Sequence, residues 1–198
     1  MTIEITAMQY YVAALIVMLL VSVYYNLKQR SIIQERDAGE LSLIKKAYYN
    51  PVTQLPNLTN VKMMIDDQMN RTTRHDRSFL LAVIKIKNYH EVSLHSQELA
   101  EEFILEAADR VTDSLRAEDV VAHTTENGFV ILFNEYLEPD YYNVLVERLN
   151  NAFSSRVQLN STTSFGYEIS IGTVTSSDKY PTSDLLINEA TRQALKNS

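Results

Sequence analysis

The chain of 198 residues carries 25 acidic and 18 basic side chains, a net charge of −7, four glycines and no cysteine or tryptophan. Without cysteine it has no disulfide framework and no thiolate-ligated metal site. Gly39, Gly128, Gly166 and Gly172 have neither the spacing of a Walker loop nor that of a dinucleotide fingerprint, and the acidic balance argues against nonspecific binding to nucleic-acid phosphates.

Charge placement divides the chain. Between Glu4 and Lys28 lie 23 residues without a formal charge, including the run from Ala13 to Val21. As a helix they would span about 34 Å, against about 30 Å for the hydrocarbon core of a bilayer. This predicts a single transmembrane helix within residues 1–27, with Tyr10, Tyr11, Tyr24 and Tyr25 at the two interfaces. A cleaved signal peptide would have a basic start, a shorter apolar core and a small-residue cleavage site, and none of the three is present. Lys28, Arg30 and Arg36 follow the helix and no basic residue precedes it, so the bulk of the protein is expected in the cytoplasm.

Residues 28–49 mix charges with Ile32, Ile33, Leu41, Leu43 and Ile44 and contain no proline. A juxtamembrane helical stalk is expected there, either a signalling coiled coil or a helix leaning on its own domain, because so short a stretch of imperfect spacing does not establish heptads. Asn50-Pro51 ends it, since the residue before proline is pushed out of the helical region.

From residue 50 to residue 198 the periodicities alternate. Leu58, Val61, Ile65 and Met69 recur at helical spacing, and Phe79 to Ile84 is a continuous apolar run suited to a central strand covered on both faces. Leu99, Phe103, Ala107, Val111 and Leu115 form the stripe of a long helix. Asp119 to Thr124 and Phe129 to Phe133 are strand candidates around Asn127-Gly128, a pair suited to the positive φ angles of a type I′ turn. Tyr142, Leu145, Leu149 and Phe153 make another helical stripe, Tyr167 to Val174 alternates as a strand, and Ser183-Asp184 is expected to cap a last helix. The order strand, helix, strand, strand, helix, strand predicts an α+β, ferredoxin-like βαββαβ core, an antiparallel sheet with helices on one face.

That arrangement hosts many functions, so the site residues must discriminate among them. Asn50-Pro51-Val52-Thr53-Gln54-Leu55-Pro56-Asn57-Leu58 resembles Asp-x-Leu-Thr-Gly-Leu-Pro-Asn-Arg, the opening signature of the GGDEF domains of bacterial diguanylate cyclases. The long-helix region, the Arg-x-x-Asp before the hairpin and Ile169-Ser170-Ile171-Gly172 match that family in order and spacing. The resemblance implies a nucleotidyl cyclase-like fold over residues 50–198.

Family cyclases join two GTP molecules with metal ions held by one carboxylate at the end of the first strand and one in the Gly-Gly-Asp/Glu-Glu-Phe hairpin, where the ions polarise phosphate. Here the two aspartates of the first-strand motif fall on Lys85 and Lys87, and the hairpin falls on Thr125-Glu126-Asn127-Gly128-Phe129. The guanine-contacting Asn and Asp correspond to Ser93 and Glu102, and the Gly-His and Gly-Asp pairs to Gln97-Glu98 and Glu101-Glu102. Because the chain ends at Ser198, the phosphate-contacting Lys and Arg of the family, with a final strand, are expected to be missing. Read this way, the domain is a degenerate GGDEF domain with no catalytic residues, metal or cofactor, and no enzyme activity is expected.

One family motif is intact. Arg116-Ala117-Glu118-Asp119 matches the Arg-x-x-Asp of the inhibitory site for cyclic di-GMP, in which a guanidinium can fork onto guanine or phosphate and a carboxylate can accept from a guanine edge. Arg116 and Asp119 are therefore the candidate ligand-binding residues, and Arg148 on the next helix is a candidate third member. The same residues are ordinary at a helix C-terminus and a strand entrance. His90 and His95 sit about 140° apart around a helix, so no shared zinc is expected. Two readings stay open: a catalytically inactive scaffold at the bacterial inner membrane, with a protein partner or a second copy, and a cyclic di-GMP receptor.

Overall fold

The structure is a computed structural model and describes residues 18–26, 28–29, 43–75, 78–133, 140–159 and 164–197. The chain divides into two compact units, Met1–Lys45 and Lys46–Ser198. In the first, residues 18–26 are helical and expose Met18, Leu19, Leu20 and Tyr24. Much of the expected anchor and stalk lies outside the described residues. Among the described residues no helix is long and apolar enough to cross a membrane.

The second unit contains α1 (Leu58–His75), β1 (Leu80–Ile86), α2 (Tyr89–Ser93), α3 (Gln97–Asp113), β2 (Val120–Thr125), β3 (Gly128–Leu132), α4 (Asp140–Ala152), β4 (Val157–Gln158), β5 (Ser164–Phe165), β6 (Ile169–Thr175) and α5 (Ser183–Lys196). Four strands form an antiparallel sheet in the order β2-β3-β1-β6, the βαββαβ pairing expected of the core. The separate β4–β5 hairpin was not foreseen.

The central strand explains the layers. Leu80, Ala82, Ile84 and Ile86 pack into one core with Phe103, Ala107, Val111, Leu145 and Leu149 of α3 and α4. Leu81 and Val83 point the other way, into a second core with Val61 and Ile65 of α1 and Leu186 and Ala190 of α5. Helices therefore cover both faces, which corrects the expectation of helices on one face. A strand with one wet face would alternate apolar and polar residues, and β1 does so only at its end.

On the second face the contact is backbone to backbone. A Cβ on Gly172 would lie 2.0 Å from the Ala190 carbonyl oxygen and 2.3 Å from the Ala194 nitrogen, so only glycine lets α5 sit this close to β6. The cap of α5 is Thr182, whose hydroxyl accepts from the Leu185 amide at 3.3 Å. Ser183, one residue later than a cap, is buried and donates its amide to Asp66.

The turn between β2 and β3 also differs from expectation. Neither Asn127 nor Gly128 has a positive φ, and the ladder shifts register between His123 and Thr125. Gly128 is already a strand residue, paired with Lys85 of β1 and Thr125 of β2.

Candidate functional site

The segment before α1 builds one wall of a cleft. The Asn50 carboxamide oxygen accepts from the amides of Val52 and Thr53, an Asx turn that reverses the chain. Gln54 then adopts φ 57°, a left-handed conformation that L side chains disfavour, at the position where the family signature has glycine. Its side chain donates to the Pro51 carbonyl at 2.9 Å. The loop is tied to β2 twice: the His123 amide donates to the Pro56 carbonyl at 2.9 Å, and Thr53 Oγ1 lies 3.2 Å from His123 Nδ1.

With α2, the start of α3 and the β2–β3 turn, this loop encloses a cleft of about 570 Å³ lined by Lys87, Tyr89, His90, Ser93, Gln97, Glu101, His123 and Thr124 to Asn127. Ser93, Gln97 and Glu101 are thus where the resemblance puts nucleotide contacts, whereas Glu98 and Glu102 are not among the lining residues. Burial, reinforced by Glu126 and Glu101, pushes the Tyr89 hydroxyl up from its ordinary pKa. His90 faces the cleft, while His95 packs edge-on against Phe165 with centroids 5.4 Å apart.

His123 is the functional-site residue that the sequence did not flag. It is 4% exposed and stacks on Phe129 with ring centroids 5.0 Å apart. Burial holds its pKa below the usual histidine value, with the Lys85 charge adding in the same direction and the carbonyls of the turn opposing.

At the mouth of the turn the side chains form a chain of hydrogen bonds. Lys85 Nζ donates to Thr125 Oγ1 at 2.7 Å, and that hydroxyl donates to Asn127 Oδ1 at 3.5 Å. Asn127 Nδ2 donates to the Ile86 carbonyl at 3.0 Å, and the Ile86 amide returns a bond to the Asn127 carbonyl at 2.9 Å. Burial lowers the Lys85 pKa. A divalent cation needs oxygen lone pairs directed at it. Lys85 and Asn127 present N–H donors at the two positions the resemblance assigns to metal carboxylates, so the residues present do not fit such an ion. Among the described residues no cluster of three or more His, Cys, Asp or Glu could hold a metal.

A second opening lies at the other end of β2, a pocket of about 210 Å³ lined by Arg116, Asp119 and Arg148 with Phe133, Tyr141, Val144 and Leu145. The Arg116 amide donates to Asp119 Oδ2 at 3.2 Å and the Asp119 amide to the Arg116 carbonyl at 3.1 Å, a tight turn that fixes both backbones. The Arg148 Nε is buried without a partner among the described residues. Arg116, Asp119 and Arg148, the three candidates from the sequence, therefore line one pocket.

An antiparallel sheet clad by helices on both faces, with a cleft against its β2–β3 turn, is a nucleotidyl cyclase-like α+β domain. Residues 47–198 match the family "Diguanylate cyclase, GGDEF domain", and the chain belongs to that family. It is 28% identical over 122 residues to the bifunctional diguanylate cyclase/cyclic di-GMP phosphodiesterase MucR of Pseudomonas aeruginosa, a match covering 59% of this chain and 17% of that relative's length. Among solved structures it superposes on diguanylate cyclase SiaD of P. aeruginosa, in complex with its activator SiaC, with a TM-score of 0.70 at 19% identity, covering 89% of this chain and 67% of that one. The coiled coil and GGDEF domain of DgcB from Caulobacter crescentus, in complex with c-di-GMP, gives 0.71 at 15% identity, covering 88% and 93%. At these identities the shared property is the fold.

Proposed function

We propose that the chain is a catalytically inactive, membrane-anchored GGDEF-domain signalling or scaffolding protein that acts by holding a protein partner at the bacterial inner membrane, its C-terminal domain in the cytoplasm. The observation that carries this reading is the hydrogen-bonded set Lys85, Thr125 and Asn127, which puts donors where a cyclase needs metal-binding carboxylates. The 23 uncharged residues between Glu4 and Lys28 support the anchor, and Lys28, Arg30 and Arg36 support the orientation. The complex of SiaD with its activator SiaC shows another GGDEF protein engaged by a protein partner. The test has two arms. Full-length protein given GTP with Mg²⁺ or Mn²⁺ makes no cyclic di-GMP, and the same protein recovered from membranes brings down a stoichiometric partner or a second copy of itself. Turnover of GTP would falsify the proposal.

A second reading is favoured by one further observation, the convergence of Arg116, Asp119 and Arg148 on one pocket. In that reading the chain is a cyclic di-GMP receptor whose occupancy is transmitted to the partner. Calorimetry on the full chain decides: micromolar binding abolished by Arg116→Ala supports the receptor, and no heat at millimolar ligand rejects it. Loss of a forked, charge-assisted contact corresponds to a fall in affinity of about a hundredfold.

A further inference from the structure

The replacements around the β2–β3 turn fit one another, and the fit has a consequence for the implied metal. We infer that the Lys85 ammonium is an internal structural cation that stands in for the divalent ion, holding the β2–β3 turn against the end of β1 through Thr125 and Asn127. The inference rests on the reading of the site as one that binds no metal, and its test does not use GTP turnover.

Four replaced positions contribute. Lys85 lies directly across from Gly128 in the β1–β3 register. A Cβ on Gly128 would sit 2.7 Å from Lys85 Nζ and 2.4 Å from Thr125 Oγ1, so a side chain here would push the ammonium off the hydroxyl. The resemblance puts an acidic residue at position 128, and its loss makes room for the lysine. Thr125, at the first glycine of the signature, supplies the hydroxyl that accepts from Lys85 and passes a bond to Asn127.

Asn127 completes the set because it is an amide. Its Nδ2 lies 3.0 Å from the Ile86 carbonyl oxygen. A carboxylate in the same place would set oxygen against oxygen, an arrangement that is stable only with a cation or proton between them. The amide removes that requirement, and the Ile86 amide closes the ring onto the Asn127 carbonyl. The bond to Thr125 Oγ1 at 2.7 Å draws the half-buried Lys85 side chain over Gly128, into the space a Cβ there would occupy. The turn is therefore set by groups of the chain itself, and the cleft it borders keeps its shape whether or not divalent ions are present.

The experiment follows amide hydrogen exchange of the detergent-solubilised full chain, reading the Ile86 amide, which reports closure of the ring. In the wild type, millimolar Mn²⁺ in place of EDTA leaves its exchange unchanged. Lys85→Met and Thr125→Val, which keep volume and remove one partner each, raise it about tenfold, the equivalent of one lost hydrogen bond of ordinary strength. The double variant Lys85→Asp/Asn127→Asp exchanges fast in EDTA and regains protection saturably with Mn²⁺. Saturable protection of the wild type by Mn²⁺ alone, unchanged exchange in both single variants, or a double variant indifferent to Mn²⁺ overturns the inference. If Lys85→Met does not fold, Thr125→Val and the wild-type titration still decide.

Discussion

The two faces of the sheet are packed by different means. On the α1/α5 face, small residues let backbone touch backbone: Gly172 of β6 lies under Ala190 and Ala194 of α5, both fully buried. On the α3/α4 face the core includes Phe103, Phe129, Phe133 and Phe153. Phe103 stacks on Tyr167 at 4.3 Å, Phe153 meets the same ring edge-on at 5.0 Å, and Arg110 lies over it at 5.0 Å. Both openings are lined partly from the α3/α4 core, the cleft by Ile104 and the pocket by Phe133 and Leu145. Among the described residues, the cleft and the pocket both open at the margins of the α3/α4 core, where rings and long polar side chains meet.

Four substitutions would break or sharpen this contrast. Gly172→Ala strikes the closed face, where the added methyl meets α5 backbone at 2.0 Å and no flexible side chain can yield. It is expected to cost about 3 kcal/mol in urea denaturation, the high end of overpacking. Arg110→Ala strikes the open face. Its guanidinium donates to the Ser155 carbonyl at 2.7 Å and to the carbonyls of Ala152 and Arg156 at 3.4 Å, clamping the end of α4 to α3. Its loss is expected to cost about 2 kcal/mol, since those carbonyls lose a charged donor.

The third effect is a pH dependence centred on His123. Because the His123 pKa is held below its unfolded value, the unfolded chain binds more protons as the solution is acidified. Its contribution to stability is complete above the unfolded value of about 6.5 and is lost as pH falls through the lower folded value, with a slope of at most about 1.4 kcal/mol per pH unit. Urea midpoints of wild type and His123→Phe, compared from neutral to mildly acidic pH, should diverge in slope in that window. The smallest effect is favourable. Gln54→Gly relieves the left-handed strain at φ 57° at the cost of the bond to Pro51 and a more flexible unfolded chain, for a net gain of about 0.5 kcal/mol.

Much of this was legible from residue patterns. The apolar run of β1 implied a strand covered on both faces, and that implication was stronger than the one-sided layering inferred from the order of elements. The stripe from Leu99 to Val111 and the βαββαβ order emerged as read, while Leu115, expected as the last member of the stripe, lies beyond the helix end at Asp113. What failed depended on neighbours distant in sequence. Asn127-Gly128 carries a strong local turn signal, but Gly128 sits in β3 opposite a lysine 43 positions earlier, whose ammonium occupies the space a Cβ would take. His123 gives no signal, because its contact with Thr53 joins residues 70 positions apart. The β4–β5 hairpin has only two residues on each side, too few for any periodicity.

Pro56 has a last consequence, for how the sheet meets other chains. β2 is an edge strand of the sheet, and a bare edge is a template onto which a foreign strand can add. Here the outward amide of His123 is taken by the Pro56 carbonyl, and Pro56 in turn bridges to Tyr49. Proline has no N–H with which to continue a ladder. A strand arriving at this edge would have to peel away the loop that forms one wall of the cleft, so growth of the sheet from this side and integrity of the cleft exclude one another.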